Sequence, residues 1–208
     1  MRRRATAAIL LMGLTGLPAL QGTAHDMHQH GTHKSARDTG AGAQRIWLTN
    51  NNAIMKTKTK MLRQDGTEVE FAGELENSGP IYLNFIYTSC TTVCPLMGQI
   101  FADLQPLLRA RGQTARLISI SIDPEYDTPA RLAEHAQSIA AGPDWRFYTG
   151  RRKASEALQR LFGTYTPDKM NHPITTFYRP AKGERWLRID GFLTPDELVR
   201  QVDAVARD

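Results

Sequence analysis

The residues able to do chemistry here are two thiols and one imidazole. Cys90 and Cys94 are the only cysteines among 208 residues, with three residues between them in Thr88-Ser89-Cys90-Thr91-Thr92-Val93-Cys94-Pro95. A thiolate is both a nucleophile and a metal ligand, and a helix start favours it through free N–H groups and partial positive charge. A structural disulfide would close only a short local loop, contributing on the order of 2 kcal/mol or less. Inert, buried thiols fit poorly with the hydroxyl side chains of Thr88, Ser89, Thr91 and Thr92 around them. The pair reads as reactive or metal-binding.

The flanking residues place the thiols. Ile81-Tyr82-Leu83-Asn84-Phe85-Ile86-Tyr87 is β-branched and aromatic, the pattern of a central strand buried on both faces. After the cysteines, Leu96, Ile100, Leu104 and Leu107 recur at helical spacing, and Pro95 suits the first helical position. The pair therefore sits at a strand-to-helix junction. Order begins near Ile46-Trp47-Leu48, and Met61–Arg63 with Val69–Phe71 forms a hairpin around Asp65-Gly66. Glu76 to Pro80 is a loop. Beyond the cysteine helix, which ends near Arg111-Gly112, come a strand at Arg116–Ile122 and a loop at Asp123–Pro129. A helix capped by Thr128 then runs to about Ala140. A short strand at Trp145–Tyr148 and a helix over Ser155–Phe162 follow. Strands at Ile174–Tyr178 and Arg185–Ile189 are joined through Pro180-Ala181-Lys182-Gly183. A last helix starts at Thr194-Pro195-Asp196-Glu197.

This order is β-α-β-α-β-α-β-β-α after an N-terminal hairpin. It predicts an α/β fold, a thioredoxin-like sandwich with a central mixed β-sheet flanked by helices and an N-terminal β-hairpin extension. In such a fold the loop holding His172, in Lys169-Met170-Asn171-His172-Pro173-Ile174, approaches the start of the cysteine helix. Two thiolates and an imidazole make a soft, low-coordinate site that suits Cu(I) and tolerates Cu(II). Zinc takes the same donors but usually wants a fourth. A loop histidine bonded to backbone is the plainer alternative for His172, and His135 inside a helix reads as a surface or half-buried residue.

Three motifs in this order and spacing carry a family resemblance. They are Cys90-Thr91-Thr92-Val93-Cys94-Pro95 after an apolar strand, Ser121-Ile122-Asp123-Pro124 with Asp127-Thr128-Pro129, and a distal histidine before a strand. Together, from about Met61 to the C-terminus, they resemble the Sco/SenC family of thioredoxin-fold copper metallochaperones. The resemblance implies that Cys90, Cys94 and His172 bind copper, as Cu(I) and/or Cu(II). It also implies service to the binuclear copper site of cytochrome c oxidase subunit II, or a related copper enzyme, with a copper donor and a thiol reductase as further partners. Asn171 stands where the family often has an acid; an amide can orient the imidazole but does not raise its basicity as a carboxylate does. A thiol-disulfide reductase acting on partner cysteines needs the same two thiols. The three-residue spacer favours metal, since dedicated oxidoreductases usually carry two residues there. A peroxidase is a weaker third reading.

Charge and the N-terminus bound the setting. The formal charge is +5, and three of those charges are Arg2, Arg3 and Arg4; the remainder carries 23 basic against 21 acidic residues. That balance argues against nucleic-acid binding. Lys56-Thr57-Lys58-Thr59-Lys60 reads as the solvent face of an alternating segment. Residues 1–24 read as a signal peptide, with a charged start, an apolar stretch from Ala5 to Leu20, and small residues before a cleavage point after Ala24. Export to the periplasm is the expectation, with an uncleaved inner-membrane anchor as the alternative; membrane contact would come only through that segment or a partner. Residues 25–43 hold His25, Met27, His28, His30 and His33 and no apolar period, the composition of a disordered, weakly metal-binding tail. The ordered domain is then 44–208.

Overall fold

The apolar run forms a central strand of the sheet. In the computed structural model Ile81–Ile86 is strand β4, and all of its residues are buried. The structure describes residues 45–76, 78–180 and 185–205; the signal-like segment, the His/Met tail and residues 181–184 of the expected hairpin connection lie outside them. In chain order the elements are β1 (Arg45–Trp47), α1 (Asn51–Met55), β2 (Lys60–Arg63), β3 (Glu68–Glu70), α2 (Phe71–Glu76), β4, α3 (Val93–Ala110), β5 (Arg116–Ser121) and α4 (Pro129–Ser138). Then come β6 (Trp145–Thr149), α5 (Arg152–Leu161), a 3₁₀ turn at Lys169–Asn171, β7 (Thr175–Arg179), β8 (Leu187–Asp190) and α6 (Pro195–Val205).

The eight strands make one mixed sheet in the order β1-β8-β7-β4-β5-β6-β2-β3. Strands β4, β5 and β6 run parallel, joined by the crossover helices α3 and α4. Strand β7 lies antiparallel to β4 on the other side, with Leu83 opposite Phe177. The predicted N-terminal hairpin is present as β2 and β3, and β2 extends the sheet by pairing with β6. Gly66 at φ 83° makes the tight turn between its strands.

Side chains alternate across β4, so one strand feeds two cores. Tyr82 and Ile86 pack with Ile100, Phe101 and Leu104 of α3 and Val199 of α6 on one face. Ile81, Leu83 and Phe85 pack with Leu75 of α2, Leu158 of α5 and Trp186 on the other. Fixed between two packed layers, β4 holds the loop at its C-terminal end, which carries Cys90.

Several expectations need correcting. Helices α1 and α2 were not anticipated, and Phe71 opens α2 rather than extending the hairpin strand. Its ring is fully buried, and burial of Phe71, Ala72 and Leu75 along one face decides the local structure. Pro95 is the third residue of α3 and not the first. Its missing N–H still falls among those that have no intrahelical partner. Pro106 lies inside α3, which deprives the Ala102 carbonyl of its donor; the Gln105 side-chain amide donates there instead, at 3.4 Å. The Lys56-to-Lys60 run does alternate, with each lysine exposed and each threonine half-buried. Among the described residues no helix is long and apolar enough to cross a membrane.

Candidate metal centre

The chain leaves β4, turns through Tyr87, Thr88 and Ser89, and enters α3 after Thr92. The turn closes with the Cys90 N–H donating to the Tyr87 carbonyl at 3.1 Å. Thr92 makes no side-chain cap on α3. The Cys90 sulfur takes that place, accepting the Cys94 N–H at 3.3 Å. A sulfur thus sits where helix N–H groups and dipole favour negative charge.

This geometry splits the two thiols. Burial pushes the Cys90 thiol up, but the N–H groups of Cys94 and Thr92 and the side chains of Cys94 and Tyr87 outweigh it, leaving a pKa of about 6. Burial pushes Cys94 up to about 12, helped by its hydrogen bond to Cys90 and by the negative charges of Cys90 and Asp127. At neutral pH the pair is one thiolate with a thiol donating to it. Both sulfurs are free of a disulfide.

The cysteine loop is anchored from the next crossover. Asp127 is fully buried. Its carboxyl oxygens accept from the Thr88 N–H at 3.2 Å, from the Thr88 hydroxyl, and from the Ser121 hydroxyl at 2.6 Å. The residues of the Ser121-to-Pro129 motif therefore act beneath the thiols as scaffolding. The sequence marked Asp127 as part of a motif without assigning it this contact.

His172 ends the 3₁₀ turn just before β7, as predicted. A cavity of about 260 Å³ is lined by Cys94, His172, Asn84, Tyr87, Met97 and Met170, among others. Two buried polar atoms of that lining have no hydrogen-bond partner, the Asn84 Nδ2 and the His172 Nε2. Burial, with the positive charge of Arg188, pulls the His172 pKa down to about 4, so its ring is neutral at physiological pH. Asn171 does not orient that ring: its amide donates to Asp168 at 3.2 Å, and Asp168 also caps the Met170 N–H. Lys169 reaches across to Asp123 at 2.5 Å, tying the turn to the loop after β5. His135 is half-buried in α4, edge-on to Phe147.

Cys90 and Cys94 are thus in contact, and Cys94 shares a cavity with His172. The three donors are not gathered around one point: among the described residues no three His, Cys, Asp or Glu side chains stand close enough to hold an ion. The donor set nonetheless fits a soft metal ion. His172, whose buried Nε2 has no partner, and Cys94, whose N–H is bonded to the Cys90 sulfur, line one cavity.

Comparison with known proteins finds relatives in sequence and in fold. A curated relative, the SCO1 protein homolog of Bacillus subtilis (strain 168), is 41% identical over 90 residues. That stretch is 42% of this chain and 45% of the relative, so the match spans less than half the relative's length. The structure of Arabidopsis thaliana ScoI with copper bound superposes with a TM-score of 0.61 at 21% identity, over 71% of this chain and 95% of that one. BsSco, a member of the Sco family of cytochrome c oxidase assembly proteins in which a disulfide switch was identified, gives a TM-score of 0.59 at 26% identity, over 70% and 89%. The model of the SCO1/SenC family matches residues 49–207, more than half of the chain, and the chain belongs to that family.

Proposed function

We propose that this protein is an exported copper-binding metallochaperone of the periplasm, with Cys90, Cys94 and His172 as the ligands. Its role is to deliver copper to, or prepare the cysteines of, the binuclear copper site of cytochrome c oxidase subunit II or a related copper enzyme. The observation that carries this reading is that His172, whose buried Nε2 has no hydrogen-bond partner, lines one cavity with Cys94. A solved relative with copper bound supports it.

Each residue has a distinct task. Cys90 offers a thiolate at neutral pH. Cys94 must give up its proton when it ligates, so uptake releases a proton and strengthens as pH rises. His172 offers a neutral nitrogen from a turn that must draw toward the cysteines. Asp127 holds the loop that presents both sulfurs. The test is to titrate the reduced full chain with Cu(I) against a competing chelator. One tight equivalent, lost in Cys94→Ser, is expected, with any weaker equivalents assigned to the His25–His33 stretch. Unchanged tight binding in Cys94→Ser would overturn the assignment.

The split thiols support a second reading, a reductase of partner disulfides. The Cys90 thiolate attacks a partner disulfide, forming a mixed disulfide and releasing one partner thiol. Cys94 then loses its proton and attacks the Cys90 sulfur, releasing the second partner thiol and leaving a Cys90–Cys94 disulfide. Two electrons pass to the partner, and a thiol reductase must return them. This reading requires no part for His172, so normal reductase turnover in His172→Ala beside lost copper binding separates the two roles.

A further inference from the structure

Met170 departs from the other methionines of the described chain. Met61 and Met97 are 1% and 7% exposed, and Met55 packs against the core, whereas Met170 is 66% exposed. It lies on the 3₁₀ turn two residues before His172 and lines the same cavity as Cys94 and His172. The Tyr87 hydroxyl donates to its sulfur at 3.4 Å. Tyr87 also opens the turn that presents the thiols, since the Cys90 N–H donates to its carbonyl at 3.1 Å.

Packing does not account for a methionine here. The residue fills irregular gaps in cores, and a side chain left in water gains little from being apolar. Its remaining distinction is a soft, neutral thioether with no proton to lose. Held by Tyr87, that sulfur stays at the mouth of the cavity, outside the donors already assigned. Resting on the copper reading above, we propose that the Met170 thioether is an additional, outer copper ligand, which meets the ion at the cavity mouth and exchanges it with Cys90 and Cys94. A long, weak thioether bond is an established mode of copper ligation and is compatible with handing the ion on.

X-ray absorption of the selenomethionine-labelled full chain, reduced and loaded with one equivalent of Cu(I), tests this directly. Copper–selenium scattering is expected at both the selenium and the copper edges. It should vanish in Met170→Leu, which keeps the side chain's bulk, and persist in Met97→Leu. Copper–thiolate scattering should persist in both variants. Copper held by thiolates with no selenium neighbour, or selenium scattering that survives Met170→Leu, overturns the outer ligand and leaves the cysteine site standing. A protein that retains no copper at all overturns both.

Discussion

Thr88 and Asp127 are 39 residues apart in sequence, yet the Asp127 carboxyl accepts from both the backbone N–H and the hydroxyl of Thr88. With Ser121 as a third donor, this fully buried group joins the loop after β5 to the loop that presents Cys90. The thiols are therefore placed by two crossovers of the sheet, not by their own loop alone.

Asp127→Ala should leave the Thr88 N–H and the Ser121 hydroxyl without partners in the interior. A loss of about 2–4 kcal/mol in unfolding free energy is expected, together with weaker copper binding. Asp127→Asn keeps the shape and part of the acceptor capacity, and should cost less. Urea unfolding monitored by tryptophan fluorescence decides the matter, and wild-type stability in Asp127→Ala would show that the contact is dispensable.

The thiol pair should leave a mark on stability above pH 6. Cys90 has a native pKa of about 6 against an ordinary value of 9.0, so between those values the unfolded chain binds more protons. Stability therefore rises with pH through that window and is fully present above it. Cys94 acts oppositely between 9.0 and about 12, where the native state keeps a proton that the unfolded state has lost. The reduced, metal-free protein should gain stability from pH 6 to 9 and lose it above. Cys90→Ser should flatten the gain. Parallel stability curves for the two proteins between pH 6 and 9 would contradict the assignment of the thiolate to Cys90.

His172 works on the acid side. Its native pKa of about 4 lies below the ordinary 6.5, so the unfolded chain binds more protons between them. Its contribution is present above 6.5 and is lost as pH falls toward 4. His172→Gln should be less sensitive to acid over that window. Equal slopes in unfolding midpoint against pH would mean the imidazole is not buried as described.

The site was legible in sequence to the extent that local pattern encodes it. The apolar run of β4 and the helical spacing after Cys94 located the strand-to-helix junction, and His172 was placed before a strand. Asp127 could be marked by motif but not given its contact, because proximity across 39 residues depends on how two crossovers pack. Tyr87 read as the end of an apolar strand, and nothing in the alternation reveals that its hydroxyl meets the Met170 sulfur. Helices α1 and α2 escaped because five or six residues carry too little periodicity, and their stability comes from burying Ile54, Phe71 and Leu75 against the sheet.

Ligand substitutions should separate the two oxidation states of copper. Cys90→Ser or Cys94→Ser should abolish tight binding of both, because a hydroxyl is not a soft donor at neutral pH. His172→Ala should weaken Cu(II) by about tenfold or more and Cu(I) less, since two thiolates alone can hold Cu(I). Competition titrations with a chelator for each ion measure this. Equal losses for Cu(I) and Cu(II) in His172→Ala would remove the distinction.

Oxidation and metal binding should exclude each other. A Cys90–Cys94 disulfide consumes both thiolates, and the cap on α3 changes with it, since the Cys90 sulfur is then no longer an anion accepting the Cys94 N–H. The low pKa of Cys90 favours the reduced form relative to an ordinary pair, but an oxidising compartment still drives the metal-free protein toward the disulfide. The expected cycle alternates a copper-carrying form with a spent, oxidised one that a reductase returns. Metal-free protein oxidised until no free thiol remains should bind no Cu(I) at the tight site when reductant is withheld. It should regain one equivalent after reduction. Stoichiometric tight binding by the disulfide form would mean that the cysteines are not the ligands, and that the copper site must be sought elsewhere in the chain.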